Sequence, residues 1–322
     1  MPEQPLLTLR EVTRLFGGGR TLLGGRRPQV HALQAVSLEL AAGETLGIVG
    51  ESGCGKSTLA RLIVGLDRPT RGHIRLQGDG RPTARRVQYV FQDPVAALNP
   101  RKTIRRILEA PLIHLLGMER GARQRRVAEL MAAVSLDAQF LDRYPHEFSG
   151  GQAQRIGIAR ALAAEPELMV LDEPVSALDV SMQAQVLNML DELKQHFGLT
   201  YLFISHDLSV VESVSQRVAV MYFGRIVESG PTRELFSHPR HPYTRLLLDS
   251  APVPGKPPLG LDESDAELPD PYNPPPGCAF YPRCPRGGVR CRQERPLLES
   301  KSAADSHTAA CHFPLETSFG NP

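Results

Sequence analysis

Two kinds of apolar pattern alternate through the first two thirds of the chain. Short unbroken apolar runs stand at Thr45-Leu46-Gly47-Ile48-Val49, Leu168-Met169-Val170-Leu171 and Thr200-Tyr201-Leu202-Phe203-Ile204. Runs this short with no polar alternation predict strands buried on both faces, as in a parallel sheet. Between the last two, Val180 to Phe197 repeats its apolar positions at helical spacing. Val186, Leu187, Leu190 and Leu193 share one face, and Gly198 stands where a C-capping glycine belongs. A second helix is expected over Lys56 to Leu66, directly after a glycine-rich turn. Strand, helix, strand in this order predicts an α/β core with a mostly parallel sheet.

That rhythm breaks between about residues 100 and 165, where only helical patterns occur: Ile104 to Leu116, Arg123 to Ala133 and Gly151 to Ala163. The expectation is a sheet domain over residues 1–235 carrying an inserted helical subdomain at about 95–165. Residues 236–322 then form an extension. Its stretch from Ala251 to Pro276 is proline-rich with acidic residues in the middle, which reads as a linker or extended wrapping segment. No internal repeat of about 20 to 50 residues is found.

Composition narrows the field. A chain of 322 residues is too long for one ordinary core and suits a large domain with a smaller appendage. The net charge of +2 gives no electrostatic case for nucleic acid. The four arginines between Arg120 and Arg126 read as a solvated helix face. No run of ~18 apolar residues crosses a membrane, and Met1-Pro2-Glu3-Gln4 lacks the order of a signal peptide. The expected compartment is the cytosol, where five cysteines are free, reactive or metal-bound rather than paired.

Gly50-Glu51-Ser52-Gly53-Cys54-Gly55-Lys56-Ser57-Thr58 fits a phosphate-binding P-loop between a strand and a helix. Its glycines let successive backbone N–H groups curl inward onto phosphate oxygens. The helix that follows adds the positive end of its dipole. The ammonium of Lys56 suits the β- and γ-phosphates, and the hydroxyl of Ser57 suits Mg²⁺. Cys54 reads as a small filler residue. Downstream, the strand Leu168 to Leu171 delivers Asp172 and Glu173 at the edge where α/β sheets bind ligands. Asp172 suits the Mg²⁺ shell, and Glu173 suits a general base for the attacking water.

Phe148-Ser149-Gly150-Gly151-Gln152 resembles the LSGGQ signature of ABC ATPases, with Phe148 in place of the leading leucine. Further motifs fall in that family's order. Gln92 in Phe91-Gln92-Asp93-Pro94 is similar to the Q-loop, which in the family also touches Mg²⁺. Ser176-Ala177-Leu178-Asp179 is similar to the D-loop, and His206 in Ile204-Ser205-His206-Asp207 to the switch histidine. The resemblance implies a RecA-like mixed sheet with a helical subdomain and ATP hydrolysis with Glu173, His206 and Gln92 at the reaction centre. It also implies a role for Phe16 in stacking on adenine. Ser149, Gly150, Gly151 and Gln152 would then meet the γ-phosphate of ATP held by a partner subunit, with Asp179 beside them. Neither the long coiled-coil insertion nor the second ATPase domain of soluble DNA-repair and translation members is present. There is no Asn-Lys-x-Asp motif for guanine either.

Asp93-Pro94-Val95-Ala96-Ala97-Leu98-Asn99-Pro100-Arg101 resembles the QDPxxSLNPR segment of ATPase subunits from dipeptide, oligopeptide and nickel importers, with Ala97 at the serine. His238-Pro239-Arg240-His241-Pro242-Tyr243-Thr244 resembles the motif that opens the C-terminal extension of those subunits. The resemblance points to the second ATPase subunit of dipeptide and oligopeptide permeases, with a nickel or other small-solute importer as the alternative. It implies a second ATPase subunit, two membrane permease subunits, an external solute-binding protein and a place on the cytoplasmic face of the inner membrane.

Cys278, Cys284, Cys291 and Cys311 are spaced C-x5-C-x6-C-x19-C. Four thiolates suit a zinc ion or an iron–sulfur cluster. The resemblance to peptide-importer tails implies a [4Fe-4S] cluster, with Zn²⁺ as the alternative, stapling a segment too poor in core to fold alone.

Overall fold

A computed structural model describes residues 4–18, 27–78, 80–250, 269–300, 302 and 305–315. Most of the expected linker, residues 251–268, lies outside the described residues. The first half of the chain runs β1 (Leu7–Gly17), β2 (Gln29–Leu40), β3 (Thr45–Val49), α1 (Lys56–Ile63), β4 (Arg71–Leu76), α2 (Thr83–Arg86), β5 (Val87–Val90), α3 (Ile104–His114), α4 (Arg120–Ala133) and α5 (Gly150–Leu162). It continues with β6 (Leu168–Asp172), α6 (Val180–Phe197), β7 (Thr200–Ile204), α7 (Leu208–Val214), β8 (Arg217–Tyr222), β9 (Arg225–Pro231), α8 (Thr232–Ser237), α9 (Pro242–Ser250), α10 (Val289–Gln293), β10 (Glu299–Ser300) and β11 (Thr308–Ala309).

The main sheet has strand order β10-β11-β9-β8-β3-β7-β6-β5. Its five strands from β8 to β5 are parallel, and β9, β11 and β10 continue it antiparallel, so the sheet is mixed. A smaller antiparallel sheet, β2-β1-β4, stands beside it. Every residue of β3, β6 and β7 is buried. Their side chains alternate between two cores: Met169, Leu171, Tyr201 and Phe203 enter one, and Leu168, Val170, Leu202 and Ile204 the other. The first core continues into α3, α4 and α5, which pack over one face as the expected helical layer.

The helix over Val180–Phe197 has the expected limits and ends at Gly198, whose φ of 64° is the left-handed cap that glycine adopts freely. Helix α1 stops three residues short of the expected Leu66, because Gly65 turns left-handed at φ 77°. The arginine run is only half solvated. Arg120 and Arg125 are exposed. Arg123 instead donates to the Met118 carbonyl at 2.8 Å, and Arg126 lies over the Phe197 ring while pairing with Glu129.

The C-terminal extension packs on the sheet domain. Strand β11 pairs with β9, and Phe280 is buried within the main core. Glu228, on β9, holds this junction: it is fully buried, and its carboxylate accepts from the backbone N–H of Arg240 at 2.6 Å and of His241 at 2.9 Å. The His307 ring meets the same carboxylate at 2.6 Å. Arg240 in turn binds Asp305 at 2.7 Å and the His307 carbonyl. A buried carboxylate needs such a set of donors to stay tolerable away from water.

Candidate nucleotide site

Strand β3 ends at Val49, and the chain then curls around Gly50 and Gly55 before entering α1. A side chain cannot replace either glycine. Gly50 has φ 151°, and a Cβ there would sit 2.2 Å from the Met221 carbonyl oxygen. Gly55 has φ 110°, and its Cβ would meet the Ala32 carbonyl oxygen at 2.7 Å. The loop is thus seated on β2 and on the β8–β9 turn, where Gly224 donates to the Cys54 carbonyl at 2.8 Å. Cys54 is buried as a filler, and burial pushes its thiol up. The Lys56 ammonium is also buried and donates back to the carbonyls of Gly50 at 2.6 Å and Glu51 at 2.9 Å. An ammonium parked on its own loop carbonyls is available to exchange them for phosphate oxygens.

Beside this loop lies a cavity of about 540 Å³. Ser52, Gly53, Gly55, Lys56, Ser57 and Thr58 line one side. Gln92, Glu173 and His206 line the other, brought there by the ends of β5, β6 and β7. Three residues spread over more than a hundred positions thus share one wall. The Gln92 amide donates to one Glu173 oxygen at 2.7 Å, and the His206 Nδ1 lies 3.1 Å from the other. Glu173 itself has φ 50°, in the left-handed region a non-glycine residue seldom occupies. It is held there by its own N–H, which donates to the Ile204 carbonyl at 2.9 Å.

Other expected residues stand elsewhere. Asp172 is buried at 4% exposure behind the wall, and its carboxylate accepts from the Tyr89 hydroxyl. That bond and burial push the Tyr89 phenol up. Phe16 is not among the cavity's lining residues; it pairs with Val30 across the small sheet, under the Arg14 guanidinium. Val30, His31 and Phe223 line the cavity instead. Glu51 faces away from the cavity, toward the C-terminal extension. Ser149 and Gln152 form a reciprocal cap at the start of α5: the Gln152 N–H donates to the Ser149 hydroxyl, and the Ser149 N–H to the Gln152 side chain. Ser149 and Gly150 are exposed and outside this chain's own cavity. Gly150 and Gly151 abut Leu178 and Met182, and Asp179 caps α6 by accepting from the Met182 N–H at 2.9 Å.

The four tail cysteines line one small apolar cavity with Phe280 and Phe313. Burial raises the thiols of Cys278 and Cys284 and pushes that of Cys311 up to about 11. Among the described residues, no three His, Cys, Asp or Glu side chains gather closely enough to hold a metal ion. Neither the expected [4Fe-4S] cluster nor its zinc alternative has an assembled ligand set there. Among the described residues, no helix is long and apolar enough to cross a membrane.

Comparison with known proteins places the chain in a family. A family profile described as "ABC transporter" matches residues 33–176, and one described as "Oligopeptide/dipeptide transporter, C-terminal region" matches residues 227–291. The chain is 49% identical to the oligopeptide transport ATP-binding protein AppF of Bacillus subtilis, over 97% of its own length and 98% of that protein. The chain belongs to the ATP-binding subunits of ABC transporters. It is also 47% identical to the di/tripeptide transport ATP-binding protein DppF of Pseudomonas aeruginosa, over 96% of this chain and 98% of that one. Among solved structures, the ABC cassette MJ0796 in a dimeric post-hydrolysis state with ADP and Pi superposes with a TM-score of 0.61. That match is 29% identical and covers 70% of this chain and 99% of the other. The share of this chain outside it is consistent with the extension that the second profile recognises.

Three features of this ABC subunit escaped sequence reasoning. Tyr89 carried a weak signal, a lone phenol in an apolar strand just before Gln92. The cavity-lining residues His31 and Val30 carried none. The contact of Glu51 with Arg283 spans 232 positions and has no local pattern at all.

Proposed function

We propose that this chain binds and hydrolyses Mg²⁺-ATP to drive import of di- or oligopeptides, as part of a membrane complex. The observation that carries the reading is the shared wall of Gln92, Glu173 and His206 facing Lys56 and Ser57 across one cavity. Lys56 and the N-terminus of α1 supply positive potential for the phosphates. Ser57 and Gln92 hold Mg²⁺, with Asp172 behind them. Glu173 takes the proton of the attacking water, and His206 orients the carboxylate and the γ-phosphate. The Gln92 and His206 contacts hold Glu173 in readiness until nucleotide enters.

Ser149, Gly150, Gly151 and Gln152, capping an exposed helix end, serve the nucleotide of a second ATPase subunit, with Asp179 at the seam. The relatives' names support a peptide cargo over nickel. Partners of this reading are a second homologous ATPase subunit, two membrane permease subunits and an external solute-binding protein, with this chain peripheral on the cytoplasmic side of the membrane. The sheet and helical layers over residues 1–235 form the ATPase unit, and 236–322 the extension.

The support for a metal centre in the tail is that all four cysteines line one cavity. Cys278, Cys284, Cys291 and Cys311 would hold a [4Fe-4S] cluster, which supplies strong sulfur links between distant parts of the tail. Anaerobic purification with iron and sulfide analysis tests this; no iron, no sulfide and no cluster absorbance reject it.

The central test is genetic. In an amino-acid auxotroph lacking the native gene, the wild-type chain should restore growth on peptides and Lys56→Ala should not. Equal growth of both on every peptide, with loss of nickel accumulation instead, would transfer the reading to nickel import.

A further inference from the structure

Glu51 is a carboxylate inside a phosphate-binding loop, next to a ligand carrying up to four negative charges. Left unpaired it would repel that ligand. It is not unpaired: the Arg283 guanidinium grips both its oxygens at 2.8 Å each, in a bidentate fork. The pair is largely shielded, with side-chain exposures of 21% and 27%, so salt screens it little. Arg283 ends the short turn Tyr281–Arg283 of the C-terminal extension and lies over the rings of Tyr222 and Phe280. Hydrogen bonding to Glu51 raises its guanidinium further.

Two more contacts from the extension reach the same loop and cavity. The Glu51 N–H donates to the Tyr243 hydroxyl at 2.9 Å. The His31 N–H donates to the Pro271 carbonyl at 3.0 Å, and Pro271 lines the cavity.

We propose that Arg283 is a positioning residue of the nucleotide site: it neutralises Glu51 and turns that carboxylate away from the phosphates, so the C-terminal extension completes the phosphate loop from outside the cassette. The proposal rests on the cavity being the ATP site. In Arg283→Ala the freed Glu51 charge stands beside the phosphates and opposes the more highly charged nucleotide most.

The test is equilibrium binding of ATP and of ADP, each with Mg²⁺, to the purified full chain. Wild type against Lys56→Ala first establishes that the cavity binds nucleotide, independently of Arg283. Arg283→Ala should then raise the Kd for ATP roughly 5- to 30-fold and that for ADP less. Glu51→Gln combined with Arg283→Ala should bring the ATP Kd back to within about threefold of wild type, and Arg283→Lys should fall between. A general loosening of the extension would weaken ATP and ADP alike and would not be rescued by Glu51→Gln. Unchanged ATP affinity in Arg283→Ala, or a double variant recovering less than half of the logarithmic loss, overturns the proposal.

Discussion

The Tyr89 hydroxyl donates to the Asp172 carboxylate, joining the edge strand β5 to the end of β6 just behind the cavity beside the P-loop. Asp172 is nearly inaccessible to water, so this phenol stands in for solvent on one of its oxygens. Tyr89→Phe removes the donor and leaves the carboxylate underpaired. The expected loss is about 1–3 kcal/mol of stability in urea denaturation, the range for an orphaned buried polar group. An unchanged midpoint would show that water reaches Asp172 and takes over.

Glu173 is held on the cavity wall by a backbone conformation and by two side chains, Gln92 and His206. Glu173→Gln keeps its size and much of its hydrogen bonding and removes only the proposed base. Steady-state phosphate release should fall roughly 10²–10⁴-fold while filter binding still detects retained ATP. Wild-type turnover in this variant would move the base elsewhere.

Much of this site was legible in the chain. The runs at 45–49, 168–171 and 200–204 became strands because burial on both faces leaves no room for polar alternation. Gly198 capped its helix because only a left-handed residue ends it there. What stayed hidden depends on approach in space. Strand β11 is two residues long, too short for periodicity, and is fixed by Glu228 and His307 from segments about eighty positions apart. Phe16 pairs with Val30 on the small sheet, and the register places Val30 and His31 on the cavity wall, a placement with no pattern in the sequence.

Glu228 anchors the extension through three N–H donors, from Arg240, His241 and His307. Glu228→Ala strands all three in a dry junction. Thermal and urea unfolding should show a loss of about 3–5 kcal/mol, as when one partner of a buried ionic set is removed. Limited proteolysis should cut between the cassette and the extension faster than in wild type. Equal cleavage rates would mean that β11 docks without this carboxylate.

The His241 ring is buried, and its Nδ1 accepts from the Tyr243 N–H at 3.0 Å. Burial lowers its pKa from 6.5 to about 4, against a smaller opposing pull from Glu228. Between those two values the unfolded chain binds a proton that the folded chain refuses. Stability should therefore be full above about pH 6.5 and fall as the pH drops toward 4, by roughly 3 kcal/mol from this group. His241→Gln should flatten that part of the profile of unfolding free energy against pH. An unaltered slope would place the proton uptake on another group.

The pairing of Glu51 with Arg283 also sets a schedule. During synthesis the phosphate loop leaves the ribosome 232 residues before its guanidinium partner. At about 5–20 residues per second the interval is roughly 10 to 50 seconds. The loop's own strand β3 pairs with β7 and β8, which also emerge before Arg283, so a newly assembled cassette would hold its glycine turn while Glu51 still lacks its guanidinium. On the proposed role of Arg283, strong nucleotide capture is expected of the finished polypeptide and not of a half-made one.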